Sequence, residues 1–152
     1  DPLLDIDFLK KIEVKKKYPN TIIIKIYETE PIAILFKSKD KYLLDSSAKL
    51  IQYQDWMKSF NVPSIFGEDA ENYFLSFLER LENSNFPKDK IENFFYYKIG
   101  RWDLELLDKR IIKLPYNKKE DAIKKSIELL KREDFKIYKV IDLRVPGKII
   151  VE

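Results

Sequence analysis

The segment Arg101 to Pro115, RWDLELLDKRIIKLP, leaves the backbone little choice. Trp102, Leu104 and Leu106 alternate with Asp103 and Glu105, a period of two that puts apolar side chains on one sheet face and acids on the other. Asp108-Lys109 supplies a turn, and Ile112 and Leu114 resume the alternation. Pro115 ends it, because proline has no N–H to give to a ladder. The hairpin reads as the middle of an antiparallel sheet.

The chain before it supplies further strands. Ile12 to Tyr18 and Thr21 to Glu28 flank a Pro19-Asn20 turn and form a hairpin. After Pro31 come short strands at Ile32 to Phe36, Tyr42 to Leu44 and Lys49 to Tyr53, separated by polar turns and read as an antiparallel meander. Val62-Pro63 and Gly67 break the pattern. Asp69 is expected to cap a helix whose Tyr73, Phe74, Phe77, Leu78 and Leu81 bury an aromatic-rich face against the sheet. Phe94 to Ile99 is the strand leading into the central hairpin. Beyond Pro115, Asn117 and Glu120 have capping-box spacing ahead of a second helix, with Ile123, Ile127 and Leu130 on one face and Ala122 and Leu129 beside them. Tyr138 to Leu143 and Lys148 to Val151 are the last strands, split by Arg144-Val145-Pro146-Gly147. Residues 1–12 hold an apolar cluster, read as a helix end running into an extended segment. The fold class is therefore α+β, a mainly antiparallel sheet of hairpins with two helices packed on it.

Composition removes more chemistry than it adds. With no cysteine and no histidine, disulfides, thiolate nucleophiles, Ser-His-Asp triads and His or Cys metal sites are excluded. No catalytic, cofactor or metal residues are assigned. Charge is high but balanced, 29 Lys and Arg against 26 Asp and Glu, too even to argue for nucleic acid by itself. The longest apolar runs are strand-sized, so no signal peptide or membrane span is expected in these residues.

Five landmarks, taken in order, resemble the FtsQ/DivIB family of bacterial cell-division proteins. Tyr18-Pro19-Asn20-Thr21 followed by Ile22, Ile24, Ile26, Glu28, Pro31 and Ala33 is similar to the signature in which the family's POTRA subdomain ends and its β domain begins. Tyr42-Leu43-Leu44-Asp45 resembles a hairpin motif, and Val62-Pro63 with Gly67, Asp69 and Ala70 an approach to a helix. Arg101 to Leu104 with Ile112 to Pro115, and Val140 to Pro146, complete the set. The family's central turn usually carries glycine. Asp108-Lys109-Arg110 has none, which predicts a turn that needs no positive φ.

The resemblance implies residues 1–30 as the incomplete C-terminal part of a POTRA subdomain and residues 31–152 as the β domain. Either the chain starts inside that subdomain's last helix, or Leu3 to Asp7 match its beginning and a piece between is missing. The resemblance also implies a non-enzymatic periplasmic scaffold at the septum, anchored in the inner membrane by a helix absent from this sequence. Its expected partners are the coiled-coil proteins FtsB and FtsL, with further division proteins at the POTRA part. The family site implied is an edge that a partner strand extends, and here it comprises Arg101, Arg144, Val145, Pro146, Gly147, Lys148, Ile149, Ile150 and Val151. Val145 and Ile149 would be apolar contacts, and Arg101, Arg144 and Lys148 would meet partner acids.

From the residues alone, Lys148 to Val151 either offers an open edge for strand addition or completes the sheet internally. Trp102 reads as core, and Asp142 with Arg144 as a structural ion pair. Two other functions compete. One is a basic sheet that stacks single-stranded nucleic acid on Phe94 to Tyr97. The other is a glycosidase, which needs two carboxylates facing each other across a cleft.

Overall fold

The computed structural model describes residues 9–152; the expectations for residues 1–8 lie outside it. Two sheets are formed. β1 (Leu9–Lys17) and β2 (Thr21–Glu28) pair antiparallel as a sheet of their own, with Val14 opposite Ile24 and Ile12 opposite Ile26. The turn at Tyr18-Pro19-Asn20 falls where the sequence puts it.

The second sheet has nine strands: β3 (Pro31–Lys37), β4 (Asp40–Asp45), β5 (Leu50–Gln52), β6 (Ser64–Phe66), β7 (Ile91–Tyr97), β8 (Arg101–Leu106), β9 (Ile111–Lys113), β10 (Val140–Asp142) and β11 (Ile150–Val151). Their spatial order is β11-β10-β9-β8-β7-β6-β3-β4-β5. Alternation along each strand becomes rows across the sheet. Leu35, Ile65, Phe94, Leu104, Ile112, Ile141 and Val151 are register partners in succession, and one residue along run Phe36, Phe66, Phe95, Asp103, Lys113, Asp142 and Ile150. The first row is apolar throughout. The second passes from stacked phenylalanines, 4.7 Å between Phe36 and Phe66 and 5.2 Å between Phe66 and Phe95, to an Asp-Lys-Asp series.

Two helices cover the apolar row. α1 (Phe74–Asn83) buries Phe74, Phe77 and Leu81, and Phe77 stacks on Trp102 with ring centroids 4.9 Å apart. Trp102 is core, as its alternation predicts. α2 (Lys119–Lys131) buries Ala122, Ile123, Ser126 and Leu129, whereas Ile127 and Leu130 lie at the margin. The buried face is therefore rotated from the one read off the isoleucines. Ser126 is tolerated inside because its hydroxyl donates to the Ile123 carbonyl at 2.6 Å. A smaller cluster of Leu43, Ile51 and Met57 lies under the 3-10 turn Asp55–Ser59.

Several local expectations are corrected. β6 has no counterpart in the sequence reading: three residues between Pro63 and Gly67 are too few to show a period. β3, β6 and β7 run parallel, as do β9 and β10; α1 makes the crossover from β6 to β7 and α2 that from β9 to β10, while β4, β5 and the 3-10 turn Asp55–Ser59 carry the chain from β3 to β6. Asp69 and the Asn117–Glu120 pair do not cap α1 and α2. Asp69 sits at φ 64 ahead of the 3-10 turn Ala70–Asn72, and Lys118, at φ 55, precedes α2. Neither makes a side-chain cap bond, and Glu120 pairs with Arg80 instead. The central turn does use positive φ, at Lys109 (φ 73). Leu106 accepts from the Lys109 N–H and donates to the Arg110 carbonyl, which makes Leu107 to Lys109 a three-residue loop ending in a left-handed residue.

Asp45 shows what the Tyr-Leu-Leu-Asp stretch secures. Its buried carboxylate accepts from the N–H of Ser47 at 3.0 Å and of Lys49 at 2.7 Å, so the side chain holds the β4–β5 turn closed. Among the described residues no helix is long and apolar enough to cross a membrane.

Candidate functional site

The end of the chain forms one margin of the large sheet. β10 hands over to β11 through Val145-Pro146-Gly147-Lys148, where the Lys148 N–H donates to the Val145 carbonyl at 3.1 Å and Gly147 takes φ 78. Proline followed by a left-handed glycine is the pattern of a type II turn. Only Ile150 and Val151 of the expected final strand are ladder residues, opposite Asp142 and Ile141.

Hydrogen bonding across that pair alternates. Val140 and Glu152 exchange both backbone bonds at 3.1 Å, so the Ile141–Val151 pair is the non-bonded one and Asp142–Ile150 the bonded one. The N–H and C=O groups of Val151, and by the same period those of Ile149, therefore point away from β10. Among the described residues, no further strand lies beside β11. Its side chains stand ready as well: Val145, Ile149 and Ile150 are each exposed by between 42% and 47%.

A cavity of about 390 Å³ lies on the helix side of this margin. Pro115, Ala122 and Leu143 contribute its apolar wall, Val145 and Ile149 its mouth, and Lys118, Asp121 and Lys125 of the α2 region its polar border. No local pattern in the chain marks it, since α2 lies far from Ile149 in sequence. The helix packing brings them together.

The arginines are placed differently from each other. Arg144 remains half exposed, and Asp142 holds it at 3.0 Å (Nε to Oδ1) and 2.7 Å (Nη2 to Oδ2). That hydrogen bonding holds the Asp142 carboxyl below the ordinary carboxylate range, against the opposing effect of burial. Arg101 is nearly enclosed: its guanidinium pairs with Asp103 and lies 4.3 Å from the Tyr97 ring centre, while the Tyr97 hydroxyl donates to Asp103 at 3.2 Å. Asp103 and Tyr97 are near enough to add to the raised pKa of Arg144, which comes first from Asp142. Arg101 and Arg144 thus belong to one polar cluster on the outer sheet face, with Arg144 the more accessible. Lys148 is exposed at the turn.

The aromatic run considered for base stacking is divided by the pleat. Phe94 and Tyr96 lie under the helices, and Tyr97, 43% exposed, has one ring face taken by Arg101. Phe95 stacks face to face with Phe66, leaving that face unavailable to a base.

Comparison with known proteins agrees in kind. The family described as "Cell division protein FtsQ/DivIB, C-terminal" matches residues 33–144. The cell division protein FtsQ of Rickettsia prowazekii (strain Madrid E) is 30% identical over 149 residues, covering 95% of this chain and 55% of the relative. FtsQ of Rhizobium radiobacter is 24% identical over 132 residues, covering 87% of this chain and 61% of the relative. The chain spans little more than half the length of these relatives. Among solved structures, the major extracytoplasmic domain of DivIB from Geobacillus stearothermophilus, in its trans isomer, aligns with a TM-score of 0.42 and 10% identity, covering 72% of this chain and 98% of that one. By the extent of the family match and of its relatives, the chain belongs to the FtsQ/DivIB family of cell-division proteins.

Proposed function

We propose that this chain is the periplasmic part of a non-enzymatic division scaffold, which binds FtsB- and FtsL-type partners by accepting one of their strands along β11. The outward main-chain groups of Ile149 and Val151 carry this reading. An added strand would hydrogen-bond there, and alternate side chains would reach the neighbouring cavity. Main-chain bonding gives affinity without sequence discrimination, so specificity would come from that cavity and from Arg144 and Lys148, whose charges set register and encounter rate.

Residues 31–152 are then the β domain and residues 1–30 the end of a POTRA subdomain. The separate sheet of β1 and β2 supports this division. A two-stranded hairpin is marginal by itself, and this one turns Val14, Ile22, Ile24 and Ile26 outward, each more than half exposed. Such a face is suited to packing by the rest of a module and, near it, by other division proteins.

The test is titration of the ¹⁵N-labelled chain with a peptide from the periplasmic end of the FtsB-type protein of the same organism. Amide shifts concentrated in residues 145–151 are expected. A folded protein whose spectrum stays unchanged at saturating peptide would overturn the reading.

A further inference from the structure

Away from β11, a second cavity of about 360 Å³ opens between α1, the β7–β8 turn and the start of α2. Trp102 and Phe77, stacked and almost fully buried, form its floor. Tyr73, stacked on Tyr96 at 5.1 Å, stands on one side and Tyr116 on the other, both about half exposed. Tyr116 lies so close over Gly100 that a Cβ there would come within 2.9 Å of the ring, so this wall is set by close packing.

Three cations converge on this aromatic surface: Arg80 from α1, Lys98 from the turn and Lys119 from the first turn of α2. Arg80 pairs with Glu120 and Lys98 with Glu68, in exposed contacts of a kind that contributes little and exchanges readily. Lys119 has no carboxylate within 4.0 Å among the described residues. Its ammonium donates to the Tyr116 carbonyl and lies 4.9 Å from the Tyr116 ring centre. Burial, and then the charge of Arg80, lower its pKa. The cavity thus holds a cation in partly apolar surroundings whose direct contacts are a carbonyl and a ring, with the Glu120 charge acting on it only from beyond pairing distance.

We infer that this cavity binds a carboxylate held next to an aromatic or aliphatic ring, the carboxylate meeting Lys119 and Arg80 and the ring lying against Tyr73 and Tyr116. A bare, strongly hydrated anion makes poor use of tyrosine walls, and a neutral ring leaves Lys119 unpaired. The site does not depend on strand addition at β11.

The probes are 3-phenylpropionate and its neutral amide, titrated into the ¹⁵N-labelled chain. Saturable shifts at the Trp102 indole N–H, Gly100 and Lys119 are expected with the acid. The amide should bind at least about tenfold more weakly, the effect of losing one charge-assisted hydrogen bond. The double variant Lys119→Gln/Arg80→Gln should abolish the difference with the remaining amide positions unchanged, and Lys119→Arg should keep it. Equal response to acid and amide, unaltered binding in a folded double variant, or the same shifts from inorganic phosphate at like concentration would each overturn the site. Acetyl-Glu-Phe-amide against acetyl-Gln-Phe-amide separates the sources: discrimination between them supports an acidic segment of a polypeptide as ligand, and discrimination confined to phenylpropionate supports a free ring acid.

Discussion

Asp142 grips Arg144 at both backbone and side chain: its carboxylate accepts from the Arg144 N–H at 3.0 Å and from two guanidinium nitrogens. The residue that leaves β10 is thereby tied to the strand, and the turn that launches β11 starts from a fixed point. One carboxylate shapes the margin of the sheet.

This tie gives a pH dependence with a definite sign. The folded pKa of Asp142 is depressed, so its stabilising contribution is complete above the unfolded value of about 3.9 and is lost as pH falls through the folded value. In urea unfolding, the stability gap between the parent and Asp142→Asn should be constant near neutrality and shrink below about pH 4, where the aspartate protonates. A gap that persists undiminished at lower pH would refute the linkage.

At the edge itself, Ile149→Pro removes an outward N–H and no bond to β10. The variant should keep the parent's far-ultraviolet circular dichroism and thermal midpoint while losing partner-peptide binding. Parent-like affinity in the folded variant would eliminate strand addition at this position.

Gly67 has no room for a side chain. At φ 123, an added Cβ would come within 2.3 Å of the Tyr96 carbonyl oxygen, a backbone atom fixed in β7. Gly67→Ala should cost more than about 2 kcal/mol, combining a backbone conformation reserved for glycine with a steric clash. Denaturant unfolding measures this directly.

Lys109 sits in the left-handed region and pairs with Glu92 at the surface. The conformation costs a lysine about 1–2 kcal/mol, and an exposed ion pair returns less than that. Lys109→Gly should therefore raise stability by up to about 1 kcal/mol, whereas Lys109→Ala, which keeps the strain and loses the pair, should not. A lower urea midpoint for the glycine variant would show that the pair outweighs the strain.

The Phe77–Trp102 stack, 4.9 Å apart with planes 3° from parallel, should act as a unit. Phe77→Ala and Trp102→Ala should each cost about 3–5 kcal/mol. The double variant should cost less than their sum, because the second truncation enlarges a cavity already made.

Much of this fold is legible along the chain because the relevant forces are local. The alternation of Trp102, Leu104 and Leu106 with Asp103 and Glu105 makes β8 a strand with one wet face, since side chains on a pleated backbone have no other way to point. The helical spacing of Phe74, Phe77 and Leu81 decides what α1 buries, whereas Tyr73, expected on the same face, precedes the helix and stays about half exposed, and Leu78 is only partly buried. Pro146-Gly147 marks a turn, and Asp142 two residues before Arg144 marks their pairing. The absence of histidine and cysteine closes whole classes of chemistry through composition alone.

What the tertiary structure decided is which of these pieces share a neighbourhood. β6 is too short to declare itself and becomes a strand only because β3 and β7 flank it. The start of α2 at Lys119 follows a left-handed residue, Lys118, and the Arg80–Glu120 pair that joins α1 to α2 links distant parts of the chain. The accessibility of Arg144, the enclosure of Arg101 and the cavity joining Ile149 to Ala122 all arise from strand order and helix placement. Side-chain direction is a property of the local backbone and can be read in line. Exposure is a property of what packs alongside, and that is fixed only when the nine strands have taken their order.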